Sequence, residues 1–184
     1  MDNKGTVKLE TERLILRKAR PEDAEPMFRN WAGDSRVTEF MTWQPYKDAL
    51  STMEYIGKML KNYENDSCYD WFIELKQKNE PIGSISVVAL RDDIECAVIG
   101  YCLGYDFWHK GIMTEAFTEV IRFLFEEVGV NRIEATHNVK NSRSGEVMKK
   151  CGLQFEGIHR QAGRDNTGIV DTAYYSILRD EYFS

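Results

Sequence analysis

A chain of 184 residues, 42% hydrophobic and 29% charged, is long enough to bury a core and reads as one domain spanning residues 1–184. Its formal net charge of −6 leaves no general basic field, which disfavours DNA or RNA binding driven by phosphate neutralisation and tolerates a cationic amine partner. Four cysteines (68, 96, 102 and 151) lack C-x-x-C spacing, three histidines are too scattered for a zinc set, and no run reaches membrane-spanning length, so a reduced, metal-free, cytoplasmic protein away from membranes is expected.

Residues 7–18 hold Leu9, Leu14 and Leu16 between charged partners and predict a first, half-buried strand. Pro21 suits a first helical turn, Glu22, Asp23 and Glu25 its positive end, and Gly33 its stop. After a loop with Trp43 and Pro45, the spacing of Leu50, Met53, Ile56, Leu60 and Tyr63 predicts a second helix over 48–63, packed near the first. Trp71 to Leu75 and Ile82 to Leu90 read as a hairpin around Lys78-Asn79-Glu80-Pro81, and the nearly uncharged run from Ala97 to Leu103 reads as a central strand.

From Ile99 to Ala116 that strand passes through a short polar turn into a helix running from Gly111 to Val128. A helix start offers unpaired N–H groups and the positive end of the macrodipole, so this stretch is a candidate anion cradle. Residues 131–138 give a further strand, Asn141 or Ser142 caps a helix to about 151, and Leu153 to Ala162 and Ile169 to Leu178 give two last strands. The order predicts an α/β class of mixed type: roughly seven strands in one mixed sheet, with about four helices on both faces.

Thr11-Glu12-Arg13-Leu14-Ile15-Leu16-Arg17, the stretch from Ile99 to Ala116, and Asn141-Ser142-Arg143-Ser144 followed by Val147-Met148-Lys149-Lys150-Cys151-Gly152-Leu153 occur in this order. Together they resemble a GNAT-superfamily acetyltransferase, and more narrowly the branch typified by the ribosomal-protein N-acetyltransferases RimJ and RimL. The match covers nearly the whole chain. It implies the splayed GNAT sheet and an acetyl-CoA site in a V-shaped gap between the strands at 97–103 and 131–138. The resemblance places the pantetheine on backbone groups near Cys102 and Leu103 and beside Asn141. It lays the pyrophosphate on the amides of His109, Lys110, Gly111, Ile112, Met113 and Thr114, and sets Ser144 near the thioester sulfur. The wider pattern R/Q-x-x-G-x-G/A has Trp108 at its first position, Gly111 as its glycine and Met113 as its last small residue. Trp at the first position is common in this branch. His109 stands where the branch often has glycine, and it touches a phosphate only where its backbone geometry tolerates a Cβ.

Such an activity needs a neutral amine, an oxyanion donor and a destination for two protons. The backbone amide of Tyr101 is the candidate donor. Glu95 shares a face with Ala97, Ile99 and Tyr101 by alternation counted back along the strand, which makes it a candidate base or else a solvated charge at a strand end. Glu134, His137 and Asp70 are other possible bases. An acyl-enzyme on Cys102 or Cys151 is set aside, since neither has a cationic or histidine neighbour in sequence. The expected activity is acetyl transfer from acetyl-CoA to a primary amine, either a protein N-terminal α-amine or a small molecule, by direct attack in a ternary complex. The alternative is a non-catalytic acyl-CoA-binding module, and a homodimer is possible for either.

Overall fold

β-branched and aromatic residues crowd the middle third of the chain, and there it folds as an antiparallel meander onto which the two ends add further strands. The computed structural model describes all of residues 1–184. Its strands are β1 (Leu9–Glu10), β2 (Leu14–Arg17), β3 (Asp70–Leu75), β4 (Glu80–Arg91), β5 (Cys96–Leu103), β6 (Arg132–Asn138), β7 (Gln154–Asp165) and β8 (Gly168–Leu178). They form one sheet in the order β1-β2-β3-β4-β5-β6-β8-β7. The helices are α1 (Ala24–Met27), α2 (Ser35–Thr38), α3 (Ala49–Asn62), α4 (Ile112–Phe123), α5 (Ser142–Lys150) and α6 (Arg179–Tyr182). The mixed α/β class with helices on both faces is as expected. The sheet has eight strands because residues 7–18 fold back on themselves: Thr11 N–H donates to the Leu14 carbonyl at 3.0 Å, and Leu9 pairs with Leu16. The two helices beyond the expected four, α2 and α6, are four residues each, too short to leave a period in the sequence.

The apolar stripe that marks α3 in the sequence mostly faces out. Leu50 is 68% exposed, Met53 53% and Leu60 36%, while Thr52, Ile56 and Met59 point inward. The inward face is set by Thr52, whose hydroxyl donates to the Ala24 carbonyl at 2.7 Å; a threonine satisfied this way costs little to bury and turns the neighbouring apolar stripe to water.

All neighbouring strands run antiparallel except β5 and β6, the one parallel pair. That pairing extends only from Cys96 with Arg132 to Ile99 with Ala135. Beyond it β5 continues to Leu103 against β4 alone and β6 to Asn138 against β8 alone, so a wedge opens in the sheet. Two cores flank the sheet. Phe117, Val120 and Leu124 pack on one face with Trp71, Ile73 and Ile85, while Met27, Trp31, Ile56 and Met59 pack on the other with Phe72 and Cys102.

Candidate active site

The segment leaving β5 reaches α4 through two left-handed residues, His109 (φ 61°) and Gly111 (φ 71°). A Cβ at Gly111 would meet only the Arg13 guanidinium at 3.7 Å, so its backbone angle, rather than crowding, calls for glycine. His109 holds the same conformation with its Cβ in place. From His109 to Thr114 no amide donates to any group of the chain, and the first helical bond is Glu115 N–H to the Gly111 carbonyl at 3.0 Å. Six successive free N–H groups at a helix start form the cradle that the sequence suggested. The first motif braces it: Thr11 Oγ1 and Arg13 N–H donate to Glu115 Oε1 at 2.6 and 2.9 Å, Arg13 Nε donates to Oε2 at 2.6 Å, and the same guanidinium donates to the Lys110 carbonyl at 2.9 Å. Met113, long where a small residue is usual in the pattern, is buried and belongs to the core on this face of the sheet. A cleft of about 420 Å³ runs along these amides, and Arg36, Lys110, Arg143 and Lys150 give it a positive lining on a chain of net negative charge.

Along β5 the Gly104 N–H to Ile82 carbonyl bond (2.8 Å) sets the alternation. Gly100 and Cys102 therefore spend their backbone groups on β4, and Tyr101 and Leu103 turn theirs toward the wedge. That corrects the backbone role expected of Cys102, which instead offers its side chain. The Leu103 carbonyl accepts from Trp108 Nε1 at 2.7 Å, and the Arg143 guanidinium stacks on the Trp108 ring at 4.5 Å, so Trp108 ties β5 to α5. The Tyr101 hydroxyl donates to the Ser144 carbonyl at 3.0 Å and lies 2.9 Å from Ser144 Oγ; burial pushes its ionisation well above the usual phenol range, which keeps it neutral.

A second cavity, about 690 Å³, lies on the sheet face away from α4. Ser84, Ser86, Gly100 and Thr172 are in its floor, and Trp31, Trp43, Tyr46 and Tyr55 in its walls. It meets the first cleft at Phe40, Met41, Tyr101, Cys102, Asn141 and Ser144. The β7–β8 hairpin closes one side, because Asn166 Nδ2 donates to the Thr38 and Trp43 carbonyls at 2.8 Å each and Oδ1 accepts from Gln44 at 2.6 Å. Behind the floor Ser86 Oγ donates to Asp70 Oδ1 at 2.7 Å, and burial pushes that carboxyl up to about 6. Ser86 escaped the sequence reading, since a lone serine in a strand shows its partner only when the strand pairing is known.

Glu95 is not part of the site. The strand starts at Cys96, so alternation does not reach back to Glu95, which sits in the preceding turn with φ 49°. Its carboxylate, 48% exposed, accepts from the Met1 ammonium at 3.1 Å at the end of β5 remote from the wedge mouth. Glu134 is engaged by Arg132 at 2.7 Å and by Arg91. His137 spends Nδ1 on the Asn138 carbonyl at 2.7 Å and buries Nε2 against Gly145, and burial holds its ionisation below the usual imidazole range. Burial pushes the Cys102 and Cys151 thiols up to about 11, which leaves little thiolate for an acyl-enzyme.

Residues 13–154 match the family described as "Acetyltransferase (GNAT) domain". The N-acetyltransferase p20 of Bacillus licheniformis is 31% identical over 175 residues, covering 95% of this chain and 97% of the relative. The [ribosomal protein uS5]-alanine N-acetyltransferase of Escherichia coli is 25% identical over 161 residues, with coverages of 84% and 82%. Among solved structures, RimL, the ribosomal L7/L12 α-N-protein acetyltransferase in complex with coenzyme A, superposes with a TM-score of 0.84 at 20% identity, over 95% of this chain and 99% of that one. The family match over residues 13–154 and the relative at 31% identity show that the chain belongs to the GNAT acetyltransferase family and is an N-acetyltransferase.

Proposed function

We propose that one domain, residues 1–184, transfers an acetyl group from acetyl-CoA to a primary amine by direct attack, the acceptor being a protein N-terminal α-amine or a small molecule. Acetyl-CoA, when bound, supplies an acyl group activated as a thioester. The amides from His109 to Thr114 hold its pyrophosphate, with Lys110, Arg143 and Lys150 adding positive charge. Tyr101 and Leu103 backbone groups and the Asn141 side chain hold the pantetheine arm, and the Tyr101 amide is the oxyanion donor. Ser144, anchored by the Tyr101 hydroxyl, stands where the leaving sulfur must be protonated. The observation that carries this reading is the junction: a positively lined cleft with six free amides meets a second, aromatic-walled cavity at Tyr101, Cys102, Asn141 and Ser144. The likeness to the uS5-alanine acetyltransferase supports a peptide N-terminus as acceptor.

The test follows free CoA release from acetyl-CoA across peptides with free N-termini, amino acids, polyamines and simple alkylamines. Turnover above acceptor-free hydrolysis is expected for at least one class. Tight CoA binding with no turnover across the panel would favour a non-catalytic binding module.

A further inference from the structure

The second cavity carries a polar device that the acetyl-CoA cleft does not explain. Asp70 opens β3 directly opposite Ser86 of β4, on the sheet face that floors the cavity. Ser86 lines the cavity; Asp70 stands behind it, accepting the Ser86 hydroxyl at 2.7 Å. Across the sheet Ser86 is opposite Gly100, which interposes no side chain before the Tyr101–Cys102 junction. A half-buried carboxylate in this position is stabilised by a nearby cation, and the chain provides none: Asp70 takes part in no ion pair.

The groups around Asp70 are neutral. Tyr63, just past the end of α3, donates its hydroxyl to the Asp70 carbonyl at 3.0 Å, Tyr55 of α3, Cys68 and Cys102 stand nearby, and Thr6 Oγ1 accepts the Asp70 amide at 2.8 Å. Lys18 sits over the Tyr63 ring at 5.2 Å and pairs with no carboxylate. Of the charged residues lining the cavity, Asp165 is held by Asn138 and Thr167 on the hairpin and Arg164 is beside it. An ammonium entering between this floor and the Tyr46 and Tyr55 rings would find a carboxylate on one side and π faces on the other.

We propose that Asp70, acting through the Ser86 hydroxyl, draws the acceptor into the cavity as an ammonium and takes its first proton. The inference rests on the acetyl-transfer reading and assigns its proton path. Ser86 Oγ accepts a proton from the ammonium while passing its own to Asp70 Oδ1. The freed nitrogen lone pair forms the N–C bond to the acetyl carbon as the C–S bond breaks. The second nitrogen proton leaves on the sulfur as the thiol, and Asp70 returns the first to solvent, so one proton is released per turnover. Ser86 is the group that touches the acceptor; Asp70 is a positioning residue behind it. A carboxyl that titrates at about 6 is mostly ionised at neutral pH and close enough to it to exchange a proton in both directions.

Two amines separate this from a packing role: ethylamine, an ammonium at neutral pH, and trifluoroethylamine, already neutral there. Asp70→Asn keeps the contact to Ser86 and should lower kcat/KM for ethylamine by about 100-fold but for trifluoroethylamine by no more than about 3-fold. The wild-type profile with ethylamine should level off above about pH 6, whereas that of Asp70→Asn should keep rising with the free-amine fraction. Ser86→Ala should behave like Asp70→Asn, and Ser86→Thr should restore activity. Equal losses for both amines, or an unchanged profile, would overturn the assignment. Infrared titration of the Asp70 carboxyl, identified by its loss in Asp70→Asn, gives a readout without turnover. Added ethylammonium should move the midpoint down by about one pH unit. An unmoved midpoint overturns the proposal even in a protein that turns over other amines, whereas a shifted midpoint without CoA release on any amine counts against the acetyl-transfer reading alone.

Discussion

Gly111 is the residue on which the cradle turns, and its left-handed backbone was legible as a glycine at a helix start. Gly111→Val places a β-branched side chain at φ 71° and should weaken CoA binding about 10-fold by titration calorimetry; an unaltered dissociation constant would remove the cradle from the phosphate site. His109 shows the limit of such reading, because a histidine holding φ 61° cannot be told in sequence from one in an extended turn. Asp70 shows another limit: it was legible as an acid beside an aromatic run, but its half-buried setting and its serine partner depend on which strands pair. Its folded pKa of about 6 lies above the usual carboxylate value of 3.8, so the folded state holds its proton more tightly. The contribution of Asp70 to stability is therefore fullest below about pH 4 and declines as pH rises through about 6, by something on the order of 3 kcal/mol. Asp70→Asn should lack that decline. Urea unfolding at about pH 5 and about pH 8 should show the variant gaining on wild type at the higher pH, and equal gains at both would contradict the raised ionisation of this half-buried carboxyl.

Between elements, the motifs prove to be contacts. Thr11 and Arg13 bind Glu115 a hundred positions away, so two stretches legible only as patterns are one brace between the β1–β2 turn and the start of α4. The last residue of the first motif, Arg17, is a buried structural hub. It makes a bidentate pair with Asp23 at 2.7 and 2.9 Å and bonds Glu74 at 2.5 Å, joining β2, β3 and the turn that enters α1. Arg17→Met would leave two buried carboxylates without their cation. It should cost about 3–5 kcal/mol in chemical denaturation, a loss that Arg17→Lys, with no planar fork, only partly restores. The exposed stripe on α3 marks where periodicity misleads: Leu50, Met53 and Leu60 have helical spacing, but the choice between two adjacent faces was made by the Thr52 hydroxyl meeting the Ala24 carbonyl.

At the scale of the whole molecule, the mixed sheet and its flanking helices could be read from the order of patterns. The β5–β6 seam could not, since where two parallel strands part depends on what each pairs with on its other side. The Asn166 tie at the hairpin tip was equally hidden, being one residue reaching a loop more than a hundred positions earlier. Asn166→Ala removes three side-chain bonds that close the second cavity and should raise KM for the acceptor while leaving that for acetyl-CoA unchanged; matching rises in both would place the tie elsewhere in the cycle.

The parted seam also bears on traffic. The cleft along the starts of α4 and α5 and the cavity beneath the 38–46 loop share only Tyr101, Cys102, Asn141, Ser144 and the Phe40–Met41 rim. With acetyl-CoA in the first and the amine in the second, as proposed above, spent CoA should rival acetyl-CoA for its berth without rivalling the amine.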